Sequence, residues 1–303
     1  MNVLYVSILS LFLGSHLLAQ QVADTSYQPP ILQPAYDPGL GPLVFIDEGH
    51  HNFHTKEGRY KAFANLLERD GYQVESYTGE FELETLSRGK ILVISNALNV
   101  RNVQDWYLPT PSAFHPAEIS VLEQWVKAGG SLFLIADHMP LAGAAADLAE
   151  AFGYTFTNGF VFDTVSNGPG IFHRQDSSLR SNKITNGCNS SEKIEKIATF
   201  TGQAFQIPEQ AESILVFGEQ YVNLLPDTAW VFTERTRRLP AQDWHQGAYQ
   251  QYSKGKLAVF GEAAMFSAQL AGPQQRKAGM NNPIAPENFQ LLLNIIHWLD
   301  DIL

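Results

Sequence analysis

Two short segments carry an unusual share of the titratable side chains in this sequence. Asp47-Glu48-Gly49-His50-His51-Asn52-Phe53-His54 holds three histidines and two acids, and Asp137-His138 adds one of each. Together they supply four of the nine histidines. Glu262 stands just beyond a later apolar run, Leu257 to Phe260. Imidazoles beside carboxylates serve two kinds of chemistry. Three of them around an open position hold a divalent ion such as Zn, Mn or Fe and activate a water. A histidine–carboxylate pair moves protons without a metal. Asp47, His50 and His54 are the candidate metal ligands, with His50 and His54 one turn apart if a helix opens there. Glu48, Asp137, His138 and Glu262 are the candidate catalytic groups. A third reading gives these residues structural work, capping helix starts and satisfying loop backbone. The residue pattern leaves the three readings open.

Other chemistries fail on missing motifs. There is no HExxH, HxE or cysteine-rich metal pattern, no GxSxG elbow and no GxxxxGK[ST] loop. Gly39-Leu40-Gly41 precedes an apolar run where a dinucleotide fingerprint would follow one. The single cysteine, Cys188, lies in a polar turn and reads as a bystander.

Elements that would position these groups alternate along the chain. Leu43–Ile46, Gln73–Tyr77, Lys90–Ser95 and Ser131–Ala136 read as strands. Lys56–Arg69, Pro116–Lys127 and Ala144–Phe152 read as helices from apolar residues at helical spacing. Strands separated by helices imply βαβ units and a mainly parallel sheet. In such a sheet ligands bind beyond the carboxyl ends of the strands, where Asp47–His54, Asn96, Asp137-His138 and Glu262 fall. Phe156–Asp163, Ser213–Phe217, Ala229–Thr233 and Leu257–Phe260 are further strand candidates, and Asn288–Leu303 is a C-terminal helix. The polar, glycine-rich stretch Ser166–Glu192 reads as a loop over the site. Lying beyond a strand end, His54 is expected to matter for chemistry and little for folding. Trp106, Tyr107, Trp230, Trp244, Tyr249 and Tyr252 include aromatics suited to stacking on sugar rings.

The 303 residues divide into an apolar leader (1–20), a proline-rich extended lead-in (21–40) and one α/β domain (41–303). Met1 to Gln20 carries no Lys, Arg, Asp or Glu, and Val3 to Leu13 has the length of a signal-peptide core. Export to a periplasmic or extracellular location is therefore expected, with no stable membrane span once the leader is removed. Twenty Lys and Arg against 31 Asp and Glu give a formal charge of −11, which argues against nucleic acid as a partner.

Val44 to Thr55, Ser131 to Pro140 and Val259 to Ser267, with the strand and helix order, resemble the class I glutamine amidotransferase-like superfamily. The nearer branch is the DUF4350 group, related to GldG-type and intraflagellar-transport proteins; the likeness to the ThuA-like proteins is more distant. Asp47-Glu48-Gly49-His50 with Phe53-His54-Thr55, and Gly261 to Phe266, carry the likeness. The resemblance covers residues 41–303 and implies a flavodoxin-like three-layer sandwich. True amidotransferases carry a nucleophilic cysteine at a strand-to-helix elbow. Here that position holds Asp137-His138, so glutamine hydrolysis by that mechanism is not expected. Two functions follow. One is a hydrolase acting on a small polar or carbohydrate substrate through the His/Asp/Glu cluster. The other is a non-catalytic ligand- or partner-binding module of the cell envelope.

Overall fold

The alternation of apolar residues along the central strands sorts them onto two faces, and each face has its own core. Val44, Ile46, Ile91, Val93, Phe133 and Ile135 pack on one side; Phe45, Leu92, Ile94, Leu132 and Leu134 pack on the other. Both sides being covered, these strands read as unbroken apolar runs. The structure, a computed structural model, describes residues 21–166 and 168–303. The expected leader lies outside the described residues.

The nine-stranded core sheet has the order Gln73–Tyr77, Leu43–Asp47, Ile91–Ser95, Ser131–Ile135, Gly255–Phe260, His245–Tyr252, Phe205–Gln206, Thr155–Phe156. Its first five strands are parallel. The remainder are antiparallel, and Glu212–Val216 pairs alongside His245–Tyr252. Helices Lys61–Arg69 and Asn288–Leu299 cover the first face, and Pro116–Ala128 covers the second. The last of these ends at Gly129, whose φ of 122° takes the chain into a conformation that glycine adopts without strain.

Among the described residues three smaller sheets, all antiparallel, accompany this one. The fold is mixed α/β with one largely parallel sheet, and it is more elaborate than a plain three-layer sandwich. The lead-in is partly docked, since Gln21–Ala23 pairs with Ala268–Ala271. No helix among the described residues is long and apolar enough to cross a membrane.

Several local expectations are corrected. Ala229–Thr233 is not a strand; it bends away after Thr228 bridges Tyr107, and Trp230 takes a φ of +66°. His245–Tyr252 is a central strand despite its polar composition, because Gln246 and Gln250 are buried and bond to the carbonyls of Thr201 and Phe152. Ser166–Glu192 is not simply a loop. Gly170–His173 pairs with Lys196–Thr199, and Phe172, Leu179 and Ile184 enter the core that holds the C-terminal helix. Asn294 of that helix ties it down by donating to the Ile184 carbonyl at 2.7 Å.

Candidate functional site

The strand-end residues separate into two groups with different environments. In the first, Asp47 closes the strand Leu43–Asp47 and is fully buried. Its Oδ1 accepts from the Gly49 backbone at 3.1 Å and its Oδ2 from the Asn52 amide at 2.9 Å. His50 Nδ1 lies 2.9 Å from Asp47 Oδ1, and His50 Nε2 lies 2.8 Å from Glu118 Oε1. Both ring nitrogens are thus taken by carboxylates. Burial would lower the His50 pKa, but the bonds to Asp47 and Glu118 outweigh it and hold the imidazole above its ordinary range. Glu118 also accepts from the backbone of His115 and Phe81, which fixes the first turn of the helix Pro116–Ala128. A cleft of about 370 Å³ opens beside this brace, lined in part by His51, Asn99, Ser112 and His115.

Glu48 is spent locally, accepting from the Lys56 backbone at 2.7 Å and the Ser76 hydroxyl at 2.9 Å. The structure therefore does not gather Asp47, His50 and His54 around one point. Among the described residues no group of three or more His, Cys, Asp or Glu side chains is placed to hold a metal ion.

The second group centres on Asn96, just past the strand Ile91–Ser95. Its backbone takes a φ of +52°, a left-handed conformation that Asn tolerates better than most residues. Its carbonyl accepts from Phe53, and its amide nitrogen donates to the Ile135 carbonyl, each at 2.9 Å. Its side-chain Oδ1 accepts from the Asp137 backbone at 2.8 Å, and its Nδ2 donates to His54 Nδ1 at 3.1 Å. One residue thereby ties together three strand ends. This also fixes a tautomer: His54 Nδ1 is the acceptor, so the proton sits on Nε2. That Nε2–H is buried without a partner. Burial, helped by the Arg59 charge, drives the His54 pKa down to about 3.

Asp137 and His138 follow the strand Ser131–Ile135. Asp137 Oδ1 accepts from the His138 backbone at 2.8 Å. His138 Nδ1 lies 2.7 Å from the Met139 carbonyl, so Nδ1 carries the proton and Nε2 keeps its lone pair. Asp137 Oδ1 is the acid nearest that Nε2, at 3.9 Å. The imidazole stacks on Phe160 at 4.2 Å and meets the Trp230 ring at 4.7 Å and the Trp106 ring at 6.1 Å. Phe53, 5.7 Å from Trp106, extends this aromatic rim towards His54.

Glu262 enters from the strand Gly255–Phe260 and is 1% exposed. Its two oxygens accept from the backbone of Ala264 at 2.9 Å and Met265 at 2.8 Å, capping the turn Ala264–Phe266. Burial first, and then the Asp137 charge, push its pKa well above the usual carboxylate range. Tyr60 completes the group. Its hydroxyl donates to the Ala263 carbonyl at 3.2 Å, and its phenol is raised well above 10.0 by burial, with Glu262 and Asp137 adding to the shift.

The structure thus brings His54, Asp137, His138 and Glu262 into one neighbourhood and leaves Asp47, Glu48 and His50 in structural contacts. Sequence reasoning passed over Glu118 and Tyr60. Glu118 carried a signal, an acid at the third position of a helix opening at Pro116. Tyr60 falls at helical spacing with the apolar residues of 56–69 and carries none.

No family model matches the chain, and no curated protein matches it in sequence. Among solved structures it is similar to the N-terminal domain of mmIFT52, at 16% identity and a TM-score of 0.60 over 85% of this chain and 97% of that one. It is similar to a cytoplasmic protein from Salmonella typhimurium, at 13% identity and a TM-score of 0.51 over 85% and 98% of the two chains. A ThuA-like protein from Bacteroides uniformis aligns at 12% identity and a TM-score of 0.47 over 87% and 94%. At these identities the first two likenesses are of fold alone.

Proposed function

We propose that this chain is an exported member of the glutamine amidotransferase-like superfamily, from a branch without the cysteine nucleophile, and that it hydrolyses a small polar or carbohydrate substrate. The observation that carries the reading is His138. Its Nδ1–H is committed to the Met139 carbonyl, its Nε2 lone pair is left beside Asp137, and its ring is held by Phe160 and Trp230. That is the arrangement of a general base.

In this reading Nε2 accepts a proton from water as the water oxygen bonds to the substrate. Asp137 stabilises the imidazolium that results. The same proton then passes from Nε2 to the departing oxygen, so the histidine ends as it began. Trp106 and Trp230 offer flat faces to a sugar or similar ring.

The test is a screen of nitrophenyl glycosides and esters with the purified chain, followed by His138→Gln and Asp137→Asn. The expected result is turnover whose kcat/KM falls by about 10²–10⁴ in His138→Gln. Wild-type turnover in that variant overturns the role of His138.

A second reading is favoured by Glu262, whose two oxygens are already occupied by backbone N–H groups. A non-catalytic binding module would use the same rim to hold a ligand without turning it over. Saturable ligand binding with no turnover by any substrate in the screen would select it.

A further inference from the structure

Arg59 stands at the end of the aromatic rim, one residue before Tyr60 and two before the helix Lys61–Arg69. Its guanidinium carbon lies 3.8 Å from the centre of the Phe53 ring, so the planar group is parked on an aromatic face. Its charge reaches His54, whose pKa it helps to depress. Among the described residues nothing accepts from it. Burial is all that acts on its own pKa, with no carboxylate or carbonyl opposing.

The neighbouring cations are different. Lys56 Nζ donates to the Val74 carbonyl at 2.7 Å and pairs with Glu68 at 3.1 Å. Lys61 pairs with Glu57 at 2.8 Å. In a chain with 31 acids against 20 basic residues, a half-buried guanidinium without an acid is a costly arrangement. Stacking on Phe53 fixes its plane and leaves its N–H fork for something outside the chain.

We infer that Arg59 binds a carboxylate carried by the ligand of the proposed His138 site, and that the ligand is therefore an acidic small molecule, such as a sugar acid. The inference rests on the proposed ligand site but not on hydrolysis. A carboxylate fits because its two oxygens match the guanidinium fork in a bidentate contact. One cation neutralises one charge. A phosphate dianion would bring a second negative charge towards Asp137 with no second unpaired cation in the 56–61 segment to meet it.

The experiment observes the Arg59 side-chain Nε–H signal by NMR during titration with D-glucuronate, acetate, D-glucose and inorganic phosphate. Arg59→Lys and Arg59→Ala are measured in parallel, with Arg59→Ala also serving to assign the signal. The expected result is a saturable shift with glucuronate and acetate and none with glucose. Glucuronate affinity, followed by ligand-observed NMR, should fall roughly 10–100-fold in Arg59→Ala, the usual worth of a charge-assisted hydrogen bond. Arg59→Lys, which keeps the charge and loses the fork, should retain only part of the affinity. A stronger response to phosphate than to carboxylates overturns the choice of anion. Equal affinity in Arg59→Ala, or no saturable shift with either carboxylate, overturns the inference. Binding without turnover leaves it standing while the hydrolase reading fails. Turnover indifferent to a substrate carboxylate and to Arg59 does the reverse.

Discussion

His50 Nε2 sits 2.8 Å from Glu118 Oε1, and this contact ties the end of the first core strand to the first turn of the helix Pro116–Ala128. With Asp47 on the other nitrogen, the imidazole bridges two buried carboxylates. Phe81 and Phe114 close over it with ring centres at 4.5 and 4.8 Å. This is a brace beside the candidate site, and its loss should register in stability before chemistry.

Replacing His50 by Ala leaves Asp47 and Glu118 facing a void without their shared cation. Breaking such a buried pair costs about 3–5 kcal/mol. A urea denaturation series should show the midpoint fall by the corresponding amount. A loss below about 1 kcal/mol would show that the brace is idle.

The same contact predicts a pH dependence. His50 is raised above 6.5 in the folded chain, so it binds its proton more tightly folded than unfolded. Its contribution is complete below 6.5 and is lost as pH rises through the folded pKa. Glu118 is lowered from 4.5, so its contribution is present above 4.5 and is lost as pH falls through its folded value. Wild type minus His50→Gln, compared as Tm across pH, should therefore be largest between these limits and shrink on the alkaline side.

His54 is nearly fully buried against Tyr60, with ring centres 4.6 Å apart, so its loss should register in folding, which its strand-end position did not suggest. His54→Ala should cost about 2–3 kcal/mol in urea. Its folded pKa of about 3 means that acid destabilises the fold progressively as pH drops below 6.5. The His54 Cε1–H resonance should not titrate between pH 5 and 8.

Gly202 is required by a close approach. At φ +115°, a Cβ there would lie 2.2 Å from the Gly261 carbonyl oxygen and 3.0 Å from the Glu262 Cβ. Gly202→Ala should destabilise by about 1–3 kcal/mol and displace Glu262 from its cap. A crystal structure or a urea curve indistinguishable from wild type would refute this.

Cys188 is exposed, and its thiol meets the Ile302 carbonyl at 3.8 Å. Cys188→Ser should leave both Tm and any activity unchanged. A loss of activity would reopen cysteine chemistry.

The central strands were legible in the sequence because each is a short apolar run buried on both faces, and burial of that kind leaves a local trace. Helix Pro116–Ala128 was legible because Pro116 opens it and Gly129 ends it. Those strands also placed Asp47, Asn96, Asp137 and Glu262 at their carboxyl ends, since a parallel sheet puts every such end on one edge. What the sequence could not show is which of these polar groups share a partner. Glu118 lies 68 residues from His50 and takes the nitrogen that a metal ligand would need. Asn96 lies 42 residues from His54 and sets its tautomer. His245–Tyr252 was missed because its glutamines are satisfied by carbonyls 45 and 98 residues away. Pattern along a chain reports whether a side chain is buried. The free energy of a polar side chain depends on the donor or acceptor it meets, and only the tertiary structure chose those.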